Sequence, residues 1–384
     1  MAGMTDYLAT ARALHAESTV LDGHADTPQR FVDEGWNWVG DPLGDGQLSS
    51  ATAAEGGLHG GFLIAWPEPE RWRGRNAERT RSLIASVHSQ AARSPARLAI
   101  CRTASEVVGS RQAGRYAALI GVEGGHAIEN DLHLLREFHA QGARYMTLTW
   151  FNSTDWCGSS GAGPDSPGLT DFGREVVREM NRLGMLVDVS HISDAAFWDV
   201  LETSGAPVVA SHSSSRTLCG AARNLTDDMV RALVAQGGLV MVNFFAAFIS
   251  DAWREGWNAM KPLIEAALGS AAAPYRVRGE SLPFYEELRI ERDVARQLPL
   301  APFSSLVDHF DHLMRVAGPE HVGFGSDFDG IPLSVEGMDS AADLPKITAA
   351  LLERGWPAAD LRGVLGGNLL RVLRAAERHT AAAG

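Results

Sequence analysis

Along most of the chain, short runs of Val, Ile, Leu and Phe alternate with longer segments whose apolar residues recur at helical spacing. The runs near 19–24, 60–66, 117–123, 144–150, 185–191, 207–212, 238–245 and 321–327 are almost continuously apolar, as strands covered on both faces are. Eight such strands separated by helices predict an α/β fold, a (β/α)8 TIM-type barrel. Helix boundaries are marked in places. Thr170 and Asp171 open LTDFGREVVREMNRLG and Gly184 closes it, while Thr226, Asp227, Asp228 and Gly237 repeat the plan in LTDDMVRALVAQGG. Two segments break the alternation. Residues 151–169, rich in Gly, Ser, Pro and Asp, follow the fourth predicted strand and are expected to be a substrate-contacting loop. Residues 249–305 form a helical insertion between strands 7 and 8, expected to be a lid, a subunit interface in a homodimer, or both. With no repeat, low-complexity tract or linker, residues 1–384 read as a single barrel domain.

Composition narrows the classes of partner. The chain has 384 residues, 45% of them hydrophobic, enough for a large core. A net charge of −13 with no basic cluster argues against nucleic acid or an anionic membrane surface. The N-terminal stretch MAGMTDYLATARALHAEST reads as an amphipathic helix without a secretory signal, and no run approaches the roughly 18 apolar residues of a membrane span. Cys101, Cys157 and Cys219 are scattered and lack CxxC spacing, as expected of reduced thiols in a cytoplasmic protein.

The chemistry is concentrated at the ends of five apolar runs: TVLDGHAD, AALIGVEGG, GMLVDVSH, PVVASHSS and HVGFGSDFDG. His24 and Asp26 are two apart on a strand and share a face, so both can bind one metal. Glu123 ends its strand in GVEGG, where a carboxylate could bridge two cations and the glycines let the chain turn. His191 and His212 end successive strands and offer neutral imidazoles to a second metal. Asp327 is placed to accept a proton from water activated by the metals, with Asp329 as a competitor two residues on. One strand-end His means little, but this series points to a two-metal hydrolase.

The same residues lie in blocks that resemble the renal dipeptidase family of zinc-dependent membrane dipeptidases, in the amidohydrolase superfamily. The blocks are LDGHADTP, IGVEGGHAI, RYMTLT, GLTDFGREVVREMNRLGMLVDVSHIS, SHSSSR…ARN and VGFGSDFDG, in that order over nearly the whole chain. The resemblance implies two Zn2+ per chain. His24 and Asp26 would hold the first and His191 and His212 the second, with Glu123 as bridge and Asp327 as proton shuttle. It implies that Arg223 holds the C-terminal carboxylate of a dipeptide, and that His126 and Asp22 lie just behind the ligands. The expected reaction is hydrolysis of dipeptides, including L-Xaa-D-Xaa. Two positions depart from the family. Trp150 stands in TLTW where family members read TLTH, with a His that contacts the scissile carbonyl, and Phe248 stands where they often have Tyr. Indole cannot carry a proton charge. Trp150 is therefore placed in the substrate site, and it motivates an alternative: the same metal centre acting on an N-acyl amino acid, a β-lactam or a cysteinyl conjugate. A non-catalytic binding barrel is a third reading, against which the filled set of metal and shuttle positions counts.

Overall fold

The computed structural model describes residues 2–383. Its strands are β1 (Leu21–Ala25), β2 (Gly60–Ala65), β3 (Leu98–Ile100), β4 (Tyr116–Glu123), β5 (Ala143–Thr147), β6 (Leu186–Asp188), β7 (Val209–Ala210), β8 (Leu239–Val242) and β9 (Val322–Phe324). All pair in parallel, and eight of them close a ring in the order β1-β2-β4-β5-β6-β7-β8-β9. This is the expected (β/α)8 barrel.

Two details differ from the sequence expectation. The short β3 was not foreseen. It pairs with the first three residues of β4, whose last residues pair with β5. The strands also stop earlier than the apolar runs do. The runs 185–191, 207–212 and 321–327 end as strands at Asp188, Ala210 and Phe324, so His191, His212 and Asp327 stand on the turns beyond.

The barrel interior is filled by inward-facing residues, among them Phe62, Leu119, Tyr145, Leu186 and Met241, all buried. Gly121 leaves room for this layer, since a Cβ there would lie 2.6 Å from the Tyr145 ring. A second apolar layer, including Val187, Val240 and Phe310, seals the barrel against its helices. The expected helix ends are observed. Thr170 accepts from the Gly173 amide, Thr226 accepts from the Met229 amide, and Gly184 closes its helix in the left-handed region.

Residues 249–305 contain two long helices, Asp251–Val277 and Phe284–Ala295, which pack on each other. Trp253 and Trp257 stack together and meet Phe245, just beyond β8. Arg292 donates to the Pro332 carbonyl (2.9 Å), and Arg71 pairs with Glu287. These contacts hold the insertion over the carboxyl ends of the strands. Among the described residues no helix is long and apolar enough to cross a membrane. Cys101, Cys157 and Cys219 are buried free thiols.

Candidate metal centre

The carboxyl ends of β1, β4, β6, β7 and β9 bring His24, Asp26, Glu123, His191, His212 and Asp327 into one buried cluster. The Nε2 atoms of His191 and His212 lie 3.0 Å apart and converge on Glu123 Oε1, at 2.9 and 3.3 Å. His24 Nε2 lies 3.4 Å from Asp26 Oδ2, 3.5 Å from Glu123 Oε2 and 4.0 Å from Asp327 Oδ1. The two Glu123 oxygens therefore face different donor sets. Ligands bound at about 2.0–2.2 Å around one tetrahedral cation stand about 3.3 Å apart, which is the spacing found here.

Backbone geometry makes this convergence possible. His191 and Asp327 adopt left-handed φ values of 70° and 62°, uncommon for residues with a Cβ and a frequent form of strain at functional sites. The His191 carbonyl is held by the Ser160 amide (2.7 Å), and the Asp327 amide donates to the His24 carbonyl (3.0 Å). Gly330 is required by close approach: a Cβ there would lie 2.2 Å from Asp26 Oδ2 and 2.8 Å from Asp327 Oδ1.

A layer of ordinary polar residues, invisible as a motif, orients two of the three imidazoles, His24 and His212. Ser211 donates its hydroxyl proton to Asp188 and so must accept from His212 Nδ1, 2.7 Å away. This leaves the lone pair on His212 Nε2, facing the cluster. Asp188 also accepts from Thr147 (2.7 Å) and from the Ser190 and Ser211 amides (3.0 and 2.9 Å). Tyr145 plays the matching part for His24. Its hydroxyl donates to the Gly23 carbonyl (3.2 Å) and lies 2.8 Å from His24 Nδ1, which directs His24 Nε2 toward the carboxylates. His24 Nε2 is buried and has no hydrogen-bond partner. A buried acceptor facing three carboxylates fits a cation better than any protein group present. The donors, imidazole nitrogens and carboxylate oxygens, suit zinc and other borderline divalent ions.

Charge follows the same logic. Burial, aided by the Arg223 charge, depresses His212 well below the usual range. Burial also takes His191 down to about 4, so both rings are neutral at pH 7. Burial opposes ionisation of Glu123, but the three imidazoles gathered around it, His24 first, outweigh burial, and the carboxyl is held well below its ordinary value. Burial raises Asp26 to about 7 against the opposing effect of His24 beside it. Asp327 is also raised, by burial first and by the Glu123 charge, while His24 and the Asn243 amide oppose the shift. The Asn243 amide donates to Asp327 Oδ2 at 2.8 Å, a contact that sequence reasoning missed. Asp329 is engaged elsewhere, accepting from Thr27 and from the Gln47 amide, both at 2.6 Å.

The remaining expected residues fall in place around the cluster with two adjustments. Arg223 is buried, donates to Ser213 (2.6 Å) and to the His212 carbonyl (2.9 Å), and lies over the Phe248 ring at 5.8 Å. Burial lowers it to about 10, so it stays charged at neutral pH. Trp150 is half-buried at the cluster's edge, its ring 4.8 Å from Trp66. Asp22 touches no ligand side chain. It accepts from the amides of His24 (3.4 Å) and Ser326 (2.8 Å) and from the Ser326 hydroxyl, joining β1 to the turn after β9. His126 packs on Gly124 and reaches the Pro67 carbonyl (2.7 Å), so it braces the turn behind Glu123 rather than the ligand itself. Above the cluster is a cavity of about 790 Å3, walled by the barrel face, the 151–169 loop and the insertion.

Known proteins share this architecture. Dipeptidase 3 from Macaca fascicularis is 36% identical over 281 residues, covering 72% of this chain and 48% of that protein. The chain spans about half the length of three curated relatives it matches, the macaque, mouse and rat forms of that protein. Among solved structures, the probable dipeptidase PvdM from Pseudomonas aeruginosa superposes with a TM-score of 0.81 at 26% identity, over 98% of this chain and 99% of that one. A metallo peptidase from Rhodobacter sphaeroides, liganded with a phosphinate mimic of the dipeptide L-Ala-D-Ala, superposes with a TM-score of 0.74 at 25% identity, over 94% and 99%. The sequence profile described as membrane dipeptidase (peptidase family M19) matches residues 8–383, and the chain belongs to that family.

Proposed function

We propose that this protein is a binuclear zinc dipeptidase. His24 and Asp26 would hold one ion, His191 and His212 the other, and Glu123 would be shared between them. The observation that carries the reading is the division of the Glu123 oxygens, Oε1 toward His191 and His212 and Oε2 toward His24, with His24 Nε2 buried and unpartnered. When bound, two zinc ions supply Lewis acidity to the scissile carbonyl and lower the pKa of the attacking water from ~15.7 toward about 7.

The chain's own residues do the rest. Arg223, permanently charged and already oriented by Ser213 and the His212 carbonyl, holds the substrate's carboxylate and sets its register. Asp327 faces the cluster with Oδ1 while Asn243 holds Oδ2. Burial raises its proton affinity, which suits a group that takes a proton from water and returns it to the leaving amine. The insertion roofs part of the cleft. The phosphinate dipeptide mimic on the Rhodobacter sphaeroides relative supports L-Xaa-D-Xaa dipeptides as substrates.

The test is a dipeptide panel with metal analysis. We expect two zinc ions per chain, turnover of L-Ala-D-Ala, and loss of turnover in Asp327→Ala with metal content unchanged. Full activity in Asp327→Ala would overturn the shuttle. Turnover of N-acyl amino acids but of no dipeptide would favour the alternative that Trp150 motivates, the same centre working on a related amide.

A further inference from the structure

The insertion presents one face of helix Phe284–Ala295 to the cavity, through Phe284, Glu287, Leu288 and Glu291. These positions are spaced i, i+3, i+4 and i+7, a single helical stripe. The Phe284 ring lies 5.1 Å from Trp66, which lies 4.8 Å from Trp150, so three aromatic rings form a continuous wall. Trp66 follows β2 and Trp150 follows β5, the strands flanking Glu123's strand β4 in the ring. Arg223 and Phe248 follow β7 and β8, across the mouth of the barrel. A dipeptide with its carboxylate on Arg223 and its scissile bond over the metal cluster directs its amino-terminal residue toward the aromatic wall.

Above that wall the charges are not balanced. Glu287 is paired with Arg71. Glu291, half-buried in the cavity lining, has no hydrogen-bond or ion-pair partner among the described residues. Burial, reinforced by the Glu287 charge, pushes its carboxyl up to about 7. An unpaired carboxylate in a desolvated pocket is costly, and a cation supplied by a ligand relieves the cost. Aromatic faces and a carboxylate that line one cavity, two helical turns apart, suit a long side chain ending in an alkylammonium or guanidinium group. The α-ammonium of a bound dipeptide lies two bonds from the scissile carbon and is confined to the metal floor. Glu291 lines the same cavity from the insertion helix, on an element separate from those that carry the metal-centre carboxylates.

We propose that Trp66, Trp150, Phe284 and Glu291 form a specificity subsite for a cationic side chain, lysine or arginine, at the amino-terminal position of the dipeptide. The proposal rests on the dipeptidase reading above. It gives Trp150 a role as part of a cation-binding wall, in a position where family members carry a histidine.

The test compares Lys-Ala with norleucyl-Ala, which has the same stem without the charge, using the zinc-loaded full chain. The wild type should prefer Lys-Ala by about tenfold in kcat/KM, the worth of one charge-assisted contact. Glu291→Gln should remove that preference by lowering kcat/KM for Lys-Ala alone, with norleucyl-Ala within about twofold as the control for folding and metal loading. Glu291→Lys should invert the order. Equal rates for the two substrates in the wild type, or a Glu291→Gln loss shared by both, would overturn the subsite while leaving the dipeptidase reading in place. Hydrolysis of neither substrate, nor of any other dipeptide, would instead overturn the dipeptidase reading and the subsite with it.

Discussion

Which nitrogen of His24 and of His212 faces the cluster is decided by side chains outside it. Ser211 has one proton to give and gives it to Asp188, so His212 must donate from Nδ1. Asp188→Ala frees that proton and lets the ring flip or change tautomer. Outer partners of this kind are worth about 10–100-fold in metal affinity. Zinc competition against a chelator should show a loss of that size in Asp188→Ala, with the far-UV circular dichroism unchanged. An unaltered affinity would mean that packing alone orients His212. The residues of the cluster were legible in the sequence because His, Asp and Glu at the ends of apolar runs are chemically conspicuous. Tyr145, Asp188, Ser211 and Asn243 were not. Each is an ordinary strand or turn residue whose role depends on which neighbour the register of the barrel places opposite it. Asp22 and His126 lie behind the cluster, where both engage backbone groups.

At the scale of elements, apolar runs located the eight barrel strands but overran their ends. The reason is local: at His191 and Asp327 the chain leaves strand geometry through left-handed turns, and hydrophobicity does not report φ. The three-residue β3 escaped for want of length, since a strand that short has no periodicity to read. Two buried histidines tie elements together outside the metal centre. His15 joins the first helix to the Gly56 carbonyl (2.7 Å) and to Thr348 (2.8 Å). His309 accepts from the Ser215 amide (3.0 Å) and donates to the Ile249 carbonyl (3.1 Å). Burial takes both down to about 4 from an ordinary 6.5. A depressed folded-state pKa means that the neutral ring stabilises the fold. The contribution is complete above pH 6.5 and is lost as pH falls from there through 4, by about 3 kcal/mol for each residue. Denaturant unfolding at pH 7.5 and at 5.0 should therefore show a smaller acid loss in His309→Asn than in the wild type. Equal losses would assign acid sensitivity to other groups.

For the whole molecule, the sequence identified 249–305 as an insertion but left open whether it was a lid or an interface. Its composition could not decide, because a helix stripe containing Phe284 and Glu291 reads the same whether it faces a cleft or a partner. In the structure that stripe roofs the cavity. Phe284→Ala should open the wall formed with Trp66 and raise KM for dipeptides several-fold while zinc content holds, as steady-state kinetics with metal analysis would show. The barrel itself closes along one seam, where Asp22 grips Ser326 and the Asp327 amide meets the His24 carbonyl. About three hundred residues separate the two sides of that seam, so its closure carries the loop entropy of nearly the entire polypeptide. A nascent chain has made His24, Asp26, Glu123, His191 and His212 well before Asp327 leaves the ribosome. Until then the edge of β1 is open and the cluster lacks Asp327. The cluster is therefore completed last in biosynthesis, as a property of the closed ring.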